Sequence, residues 1–310
     1  MTQIFIKKDV TGSFGKPPEQ RTVEELLQCS IINIDKPKGP TSHQVSDYVK
    51  RILHTKKAGH SGTLDPGVTG VQPVAIGRAT RITQHLLTAP KEYICLMHLH
   101  KDFPEQAIQQ AVQKFIGKIK QLPPIKSAVK RQIREREIYE LEILEIKGRE
   151  VLYRVKCQAG TYIRKLCHDL GQTLGGGAHM VELRRTQAGP FTERDTLVTL
   201  NALYDGYHFH TQEQNSKLLM HCLQPIENAI SLFSKCWILD TTIQSVTHGR
   251  DVALPGISKC ENFHKGETVA VMTLNNELVA MGEALLSAEE VDKLEKGLAI
   301  KVEKVFMEQL

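Results

Sequence analysis

One acid sits in a stretch poorly suited to either helix or strand: His60-Ser61-Gly62-Thr63-Leu64-Asp65-Pro66-Gly67-Val68-Thr69-Gly70. Gly62, Gly67 and Gly70 permit tight backbone turns, and Pro66 fixes the dihedral straight after Asp65. The rest of the chain must therefore hold a rigid loop with Asp65 at its rim. Taken locally, the pattern reads equally as an Asx-turn without chemistry or as a presented carboxylate.

The 310 residues suffice for one long domain or two, and 41% apolar content supports a substantial core. A net charge of +5 is only mildly basic and says little about nucleic acid. Its distribution says more: Lys118, Lys120, Lys126, Lys130, Arg131, Arg134 and Arg136 crowd one segment against the single acid Glu135. Such a cluster either neutralises phosphates or forms a solvated face. Seven cysteines without a C-x-x-C pair argue against a disulfide framework and a zinc site. They fit reduced thiols in a cytosolic compartment. No apolar run reaches membrane-spanning length, and the N-terminus lacks the apolar region of a signal peptide. A soluble intracellular protein is expected.

The first twenty residues, with Gly12, Gly15, Pro17 and Pro18, read as an extended arm. Helices are predicted over 21–28, from a cap at Thr41 or Ser42 with Val45, Val49 and Ile52 at helical spacing, from Thr80, over 104–116, and over 162–174. Strands are predicted over 31–34, 71–76, 92–99, 138–146 and 151–158. This is no regular βαβ repeat, so the expected class is α+β, with one large mixed or antiparallel sheet and flanking helices. Residues 204–217 show no clear periodicity. A boundary falls between about 225 and 235. Beyond it come short strands at 237–239, 252–254, 268–274 and 278–285, with Asn275-Asn276 as a hairpin turn, so a small β-rich domain is expected.

Several motifs occur in order: Asp35-Lys36-Pro37-Lys38-Gly39-Pro40-Thr41-Ser42, the Asp65 loop, Gly77-Arg78-Ala79-Thr80-Arg81, Lys91-Glu92-Tyr93, Gly160-Thr161-Tyr162-Ile163-Arg164 and Leu183-Arg184-Arg185. The set resembles the TruB family of pseudouridine synthases. The segments 121–131, Gly177-Ala178-His179-Met180 and 182–185 narrow the resemblance to the archaeal dyskerin-type branch, the catalytic subunit of H/ACA guide-RNA particles. The C-terminal segment resembles a PUA RNA-binding domain. The implied organisation is an N-terminal arm over 1–20 packed near the PUA domain, a catalytic domain over 21–230 and the PUA domain over 234–310.

The reaction implied breaks the bond between base and sugar, turns the base and rejoins it through carbon. It requires no cofactor and no metal, only a placed carboxylate and a base taken out of its stack. The resemblance makes Asp65 the catalytic residue and Arg164 its ionic partner, in a dry pocket sized for one extruded nucleotide. On pattern alone, Arg164 could instead be a surface residue of an amphipathic helix. Tyr93 matches the family tyrosine that stacks on the base, or is an ordinary half-buried strand residue. Leu183 corresponds to the apolar wall of the pocket, or to a core leucine. His60 stands at the position associated with displacing the target base, and Lys36 at that of a buttressing lysine. Either could be purely structural. Arg184 and Arg185 serve phosphate contact or loop anchoring. Lys126, Lys130, Arg131 and Arg134 fall on a thumb loop that contacts phosphate, and Gly249-Arg250 in a turn suited to RNA. Gln72 departs from the family, which has an apolar residue there.

Implied partners are an H/ACA guide RNA, ribosomal or transfer RNA substrate and small accessory proteins, with no membrane. A cytoplasmic location is implied, nucleolar if the source is eukaryotic. The alternatives are a stand-alone synthase for the tRNA TΨC loop and a non-catalytic RNA-binding scaffold. Charge reversal at Lys130 and Arg131 should weaken RNA binding and flatten its salt dependence, as read from Kd against salt concentration. An unchanged slope places the RNA path elsewhere.

Overall fold

The computed structural model describes residues 3–123 and 131–308, and among these two twisted sheets carry an α+β fold. The larger, of eleven strands, is built on the path Leu197–Val198, Cys29–Lys36, Thr69–Gly77, Ala178–Ala188, Lys91–Leu99, Glu150–Cys157, Arg134–Lys147, Gly117–Gln121. Its ladders are antiparallel except where Thr69–Gly77 meets Ala178–Ala188 and where Leu197–Val198 meets Cys29–Lys36. The sheet is therefore mixed, and the loop at 61–68 feeds straight into its centre.

Local chemistry explains the helices that flank it. Thr41 caps Ser42–Ile52 by accepting from Gln44 N–H, while the Gln44 side chain accepts from Thr41 N–H. Thr22 and Glu25 make the same reciprocal cap for Val23–Gln28. Val45 and Val49 then bury against Ile32, Ile34, Val74 and Ile76. The helix Ile163–Thr173 buries Leu166, Cys167 and Leu170 against Cys95, Met97 and Tyr153 on the other half of the sheet. Gly175 and Gly177, both at positive φ, end it.

Some elements escaped the sequence patterns. Residues 200–213 form a helix, Leu200–Glu213, despite their mixed polar and aromatic character. Gly206 lets the helix Lys217–Cys222 approach closely, since a Cβ there would lie 3.0 Å from Leu219 N. Thr80 lies within a 3-10 turn, and the α-helix begins only at Thr83. The central strand Ala178–Ala188 and the helix Asp240–Thr247 were also unforeseen.

The second sheet, of seven strands among the described residues, runs Ile4–Ile6, Ile257–Glu261, Ser234–Ile238, Thr268–Met272, Leu278–Ala284, Leu298–Val305, Val252–Ala253. Its first strand comes from the extreme N-terminus, pairing Phe5 with Cys260. Asp240 continues the seam by accepting from Ser13 and Phe14 N–H. Asn276 adopts φ +64° in the turn after Thr268–Met272 and accepts from the Trp237 indole at 2.8 Å. One apolar cluster joins the two sheets, with Phe191, Ile226 and Ile230 packed among Trp237, Met272 and Leu278.

A charged clamp closes the same junction. Arg21 makes a bidentate pair with Glu227 (both contacts 2.8 Å) and reaches Glu277 at 3.5 Å, with all three side chains nearly buried. Glu227 also accepts from Leu278 N–H at 2.8 Å. Burial raises Glu277 above the usual carboxylate range, partly offset by Lys16 N–H and Arg21. Arg21→Met leaves two carboxylates without their cation and should cost about 3 kcal/mol in urea unfolding. A loss below about 0.5 kcal/mol would show that the clamp contributes no more than a surface pair.

Candidate active site

Backbone carbonyls of a tight loop have no sheet partner, and here buried cations supply one. Lys36, fully buried, donates from Nζ to Pro37 O (2.9 Å), Pro66 O (3.3 Å) and Val68 O (2.8 Å). Burial pulls its ammonium below the usual lysine range, Arg185 adds to this, and Asp65 opposes it. Arg185, also buried, donates to Val71 O at 2.7 Å and Gly62 O at 3.4 Å. Gly70 is obligatory here: at φ +102°, a Cβ would stand 2.2 Å from Arg185 O. The loop closes on itself through Val68 N–H to Asp65 O at 3.0 Å.

The structure brings Asp65 and Arg164 together. Arg164 Nη2 donates to Asp65 Oδ2 at 2.5 Å, across 99 residues of sequence. The entry to the arginine's helix is fixed by buried Gln121, which accepts from Tyr162 N–H (2.9 Å) and donates to Tyr162 O (3.1 Å). The dry pocket expected around this pair is not what the fold presents. Asp65 and Arg164 side chains are 56% and 57% exposed, because the loop tip and the first turn of the helix meet at an open rim. A cleft of about 300 Å³ does open beyond Gly67 and Thr69, but it lies on the sheet face carrying Ile94, Leu96, Glu182 and Arg184. Strand alternation turns Tyr93 and Cys95 to the opposite face, and Asp65, Tyr93 and Arg164 do not line that cleft.

Tyr93 is half-buried and stands opposite Arg185 across the ladder between Lys91–Leu99 and Ala178–Ala188. Burial raises its phenol above the usual range, and the Arg185 guanidinium partly offsets this. Leu183 stands opposite Cys95, packs on the core beneath Arg164's helix and also reaches the cleft. His60 ends the short strand Ala58–His60, with Nδ1 3.1 Å from Ser46 Oγ and its ring edge-on to His43 at 4.8 Å. Burial, then His43 and Arg185, push the imidazole down to about 4.

Lys36, sealed beneath the loop with its reach spent on carbonyls, sits as a buttress and not as a phosphate contact. Two of the sequence-derived RNA contacts, Arg184 and Arg134, require correction. Arg184 is neutralised by Asp35, at 2.9 and 3.1 Å, and by Glu193, so it ties strands together rather than offering a free cation. Arg134 is half-buried at the head of its strand rather than on an open loop, its Nε enclosed without a hydrogen-bond partner among the described residues. Arg131 is exposed, as is Arg250 just after Gly249 at φ +83°. Lys126 and Lys130 lie outside the described residues.

Sequence reasoning left other residues of the site without a definite role. Gln72, fully buried, donates to Ser42 O at 3.0 Å, and Ser42 Oγ accepts from Leu64 N–H at 2.7 Å. Gln72 thus ties helix Ser42–Ile52 to the residue before Asp65. Lys91 is buried and donates to Leu86 O, Leu87 O and Ala89 O at 2.7 to 3.0 Å. Burial pulls it down to about 8, with Arg185 contributing.

Comparison with known proteins bears on this geometry. Residues 50–163 match the N-terminal domain of the TruB family pseudouridylate synthases, and 164–231 match the tRNA pseudouridylate synthase B C-terminal domain. Residues 234–306 match the PUA domain and 2–46 the DKCLD (NUC011) domain. A probable tRNA pseudouridine synthase B of Thermococcus kodakarensis is 52% identical, over 97% of this chain and 89% of its own. That of Methanocaldococcus jannaschii is 46% identical over 99% and 92%. Among solved structures, a Cbf5-Nop10-Gar1 complex matches with TM-score 0.95 and 49% identity, over 100% of this chain and 95% of that one. A structure of an H/ACA ribonucleoprotein bound to a substrate RNA containing 2′-deoxyuridine matches with TM-score 0.94 and 47% identity, over 100% and 96%. The chain belongs to the TruB family of pseudouridylate synthases.

Proposed function

We propose that this chain is the catalytic subunit of an H/ACA particle and converts uridine to pseudouridine at sites chosen by a guide RNA. Ribosomal RNA is the main substrate and the tRNA TΨC loop a second. The observation that carries the reading is the Asp65–Arg164 pair, a carboxylate on a carbonyl-anchored loop met by a guanidinium from a distant helix. A bidentate-capable arginine keeps such a carboxylate charged and in one rotamer. Asp65 then acts on the target nucleotide, while Arg164 steadies it. Tyr93 stacks on the extruded base and Leu183 walls it. The open rim supports a site that the RNA itself completes, excluding water only when a flipped nucleotide covers the pair.

Exposed Arg131 and Arg250, together with Lys126 and Lys130, would contact phosphate rather than read bases. Small accessory proteins of the kind in the Cbf5-Nop10-Gar1 complex would complete the particle. Seven buried, unpaired thiols fit a reducing cytoplasm. The name of the curated relatives, probable tRNA pseudouridine synthase B, points to tRNA as a substrate; the second reading is a pseudouridine synthase that acts on tRNA without a guide. Activity on bare tRNA by the isolated chain, with none on a guide and target, selects it.

Asp65→Ala should abolish isomerisation, assayed by tritium release from carbon 5 of the target uridine, while leaving RNA affinity within about threefold. Full activity in that variant removes the mechanism. His60 generates a pH prediction. Its folded-state value of about 4 lies below the ordinary 6.5, so the unfolded chain takes up a proton that the folded chain refuses. The stability from burying neutral His60 is fully present above 6.5 and declines as pH falls toward about 4. Urea titrations at pH about 7 and about 5 should differ less in His60→Gln than in the parent. An equal difference in both assigns the acid sensitivity to other groups.

A further inference from the structure

Arg185 heads the largest fully buried side chains, at 1% exposure, and no carboxylate pairs with it among the described residues. Two more buried cations, Lys36 and Lys91, feel its charge, and neither forms an ion pair among the described residues. A fold selected for stability alone would place an apolar residue here or add a carboxylate, since burying a lone guanidinium costs several kcal/mol. Its geometry indicates what the charge is for. On one side its strand runs parallel to Thr69–Gly77 with Arg185 opposite Gly70, and the guanidinium holds Gly62 O in the Asp65 loop and Val71 O in the strand that follows it. On the other side the ladder slips at Thr186, so that Gln187 pairs with Glu92 but Arg185 with Tyr93. Such bulges re-aim side chains beside active sites.

We propose that Arg185 is a positioning residue for the isomerisation. Its fork fixes the Asp65 loop against the strand of Tyr93, and its guanidinium stands beside the Tyr93 phenol. This rests on the functional reading above and adds a residue that touches neither substrate nor the Asp65–Arg164 pair. The groups facing Tyr93 are Arg185 from its neighbouring strand, Cys157 from the strand on the other side and Asp65 from the loop. Of these Arg185 alone favours the phenolate; Cys157 and Asp65 oppose it.

The test compares Arg185→Gln and Arg185→Lys with the parent in two measurements. One is single-turnover tritium release by the assembled particle from about pH 6 to about pH 10. The other is tyrosine ring-carbon NMR titration of the full chain without RNA, with Tyr93 assigned by Tyr93→Phe. Arg185→Gln should slow isomerisation about a hundredfold at nearly unchanged RNA affinity. It should also move the Tyr93 midpoint up by about one pH unit. Arg185→Lys should restore the midpoint but not the rate, because one ammonium cannot span both carbonyls. An unmoved Tyr93 midpoint in Arg185→Gln overturns the proposal, as does an unchanged rate. If Arg185→Gln does not fold, Arg185→Lys decides alone: a parental rate overturns the proposal, and a slowed rate with an unmoved midpoint supports it. A parent particle that releases no tritium overturns the functional reading and the positioning role with it, whereas a normal parent with unaffected variants overturns the inference alone.

Discussion

Buried cations donating to loop carbonyls are the interaction on which the rest of this site depends. The glycines and proline around Asp65 give a turn that no ladder can satisfy, and a loop of this kind would ordinarily rest on water. Here Lys36 takes the carbonyls of Pro66 and Val68, flanking Asp65 on its C-terminal side, and Arg185 takes that of Gly62 before the acid and that of Val71 in the strand beyond. Buried ammonium and guanidinium groups are costly where no anion meets them. That cost is offset by a backbone that does not need to reorganise when the nucleotide arrives.

The same arrangement explains why Asp65 can stand exposed and still be held. Its loop is anchored from beneath by Lys36 and from the side by the Gln72–Ser42–Leu64 chain of hydrogen bonds. Its carboxylate is met from above by Arg164, on a helix whose first turn is tied to Gln121. Rigidity in this region comes from hydrogen bonding rather than from enclosure. The apolar walls lie lower, where Leu166, Cys167 and Leu170 pack on the sheet.

Much of the fold was legible because period and caps agreed. A cap at Thr41 or Ser42 and the spacing of Val45, Val49 and Ile52 define a helix that the structure contains as Ser42–Ile52. The strands around 71–76 and 92–99 differ from the observed ones only at their ends. What stayed hidden depends on tertiary partners. Helix Leu200–Glu213 lacks a clean stripe because its contact with Lys217–Cys222 runs through a glycine rather than a row of leucines. The strand Ala178–Ala188 reads as a run of polar and basic residues because bulges at Val181 and Thr186 break its alternation. Adjacent arginines look alike in sequence. Only the ladder register separates Arg184, shared between Asp35 and Glu193, from Arg185, buried among carbonyls. Likewise nothing in Lys36 or Lys91 announces burial, since a lysine in a turn is usually solvated.

The edge strand Ile4–Ile6 has a consequence for biosynthesis. Its partner, Ile257–Glu261, emerges from the ribosome long after it. The anchor of Arg21 at Glu277 is later still. During translation the N-terminal segment must therefore wait without its ladder while the central sheet assembles. Closing contacts of such wide sequence separation is also slow. Truncation ahead of Ile257 would then leave Ile4–Ile6, far upstream of the break, without a place to dock.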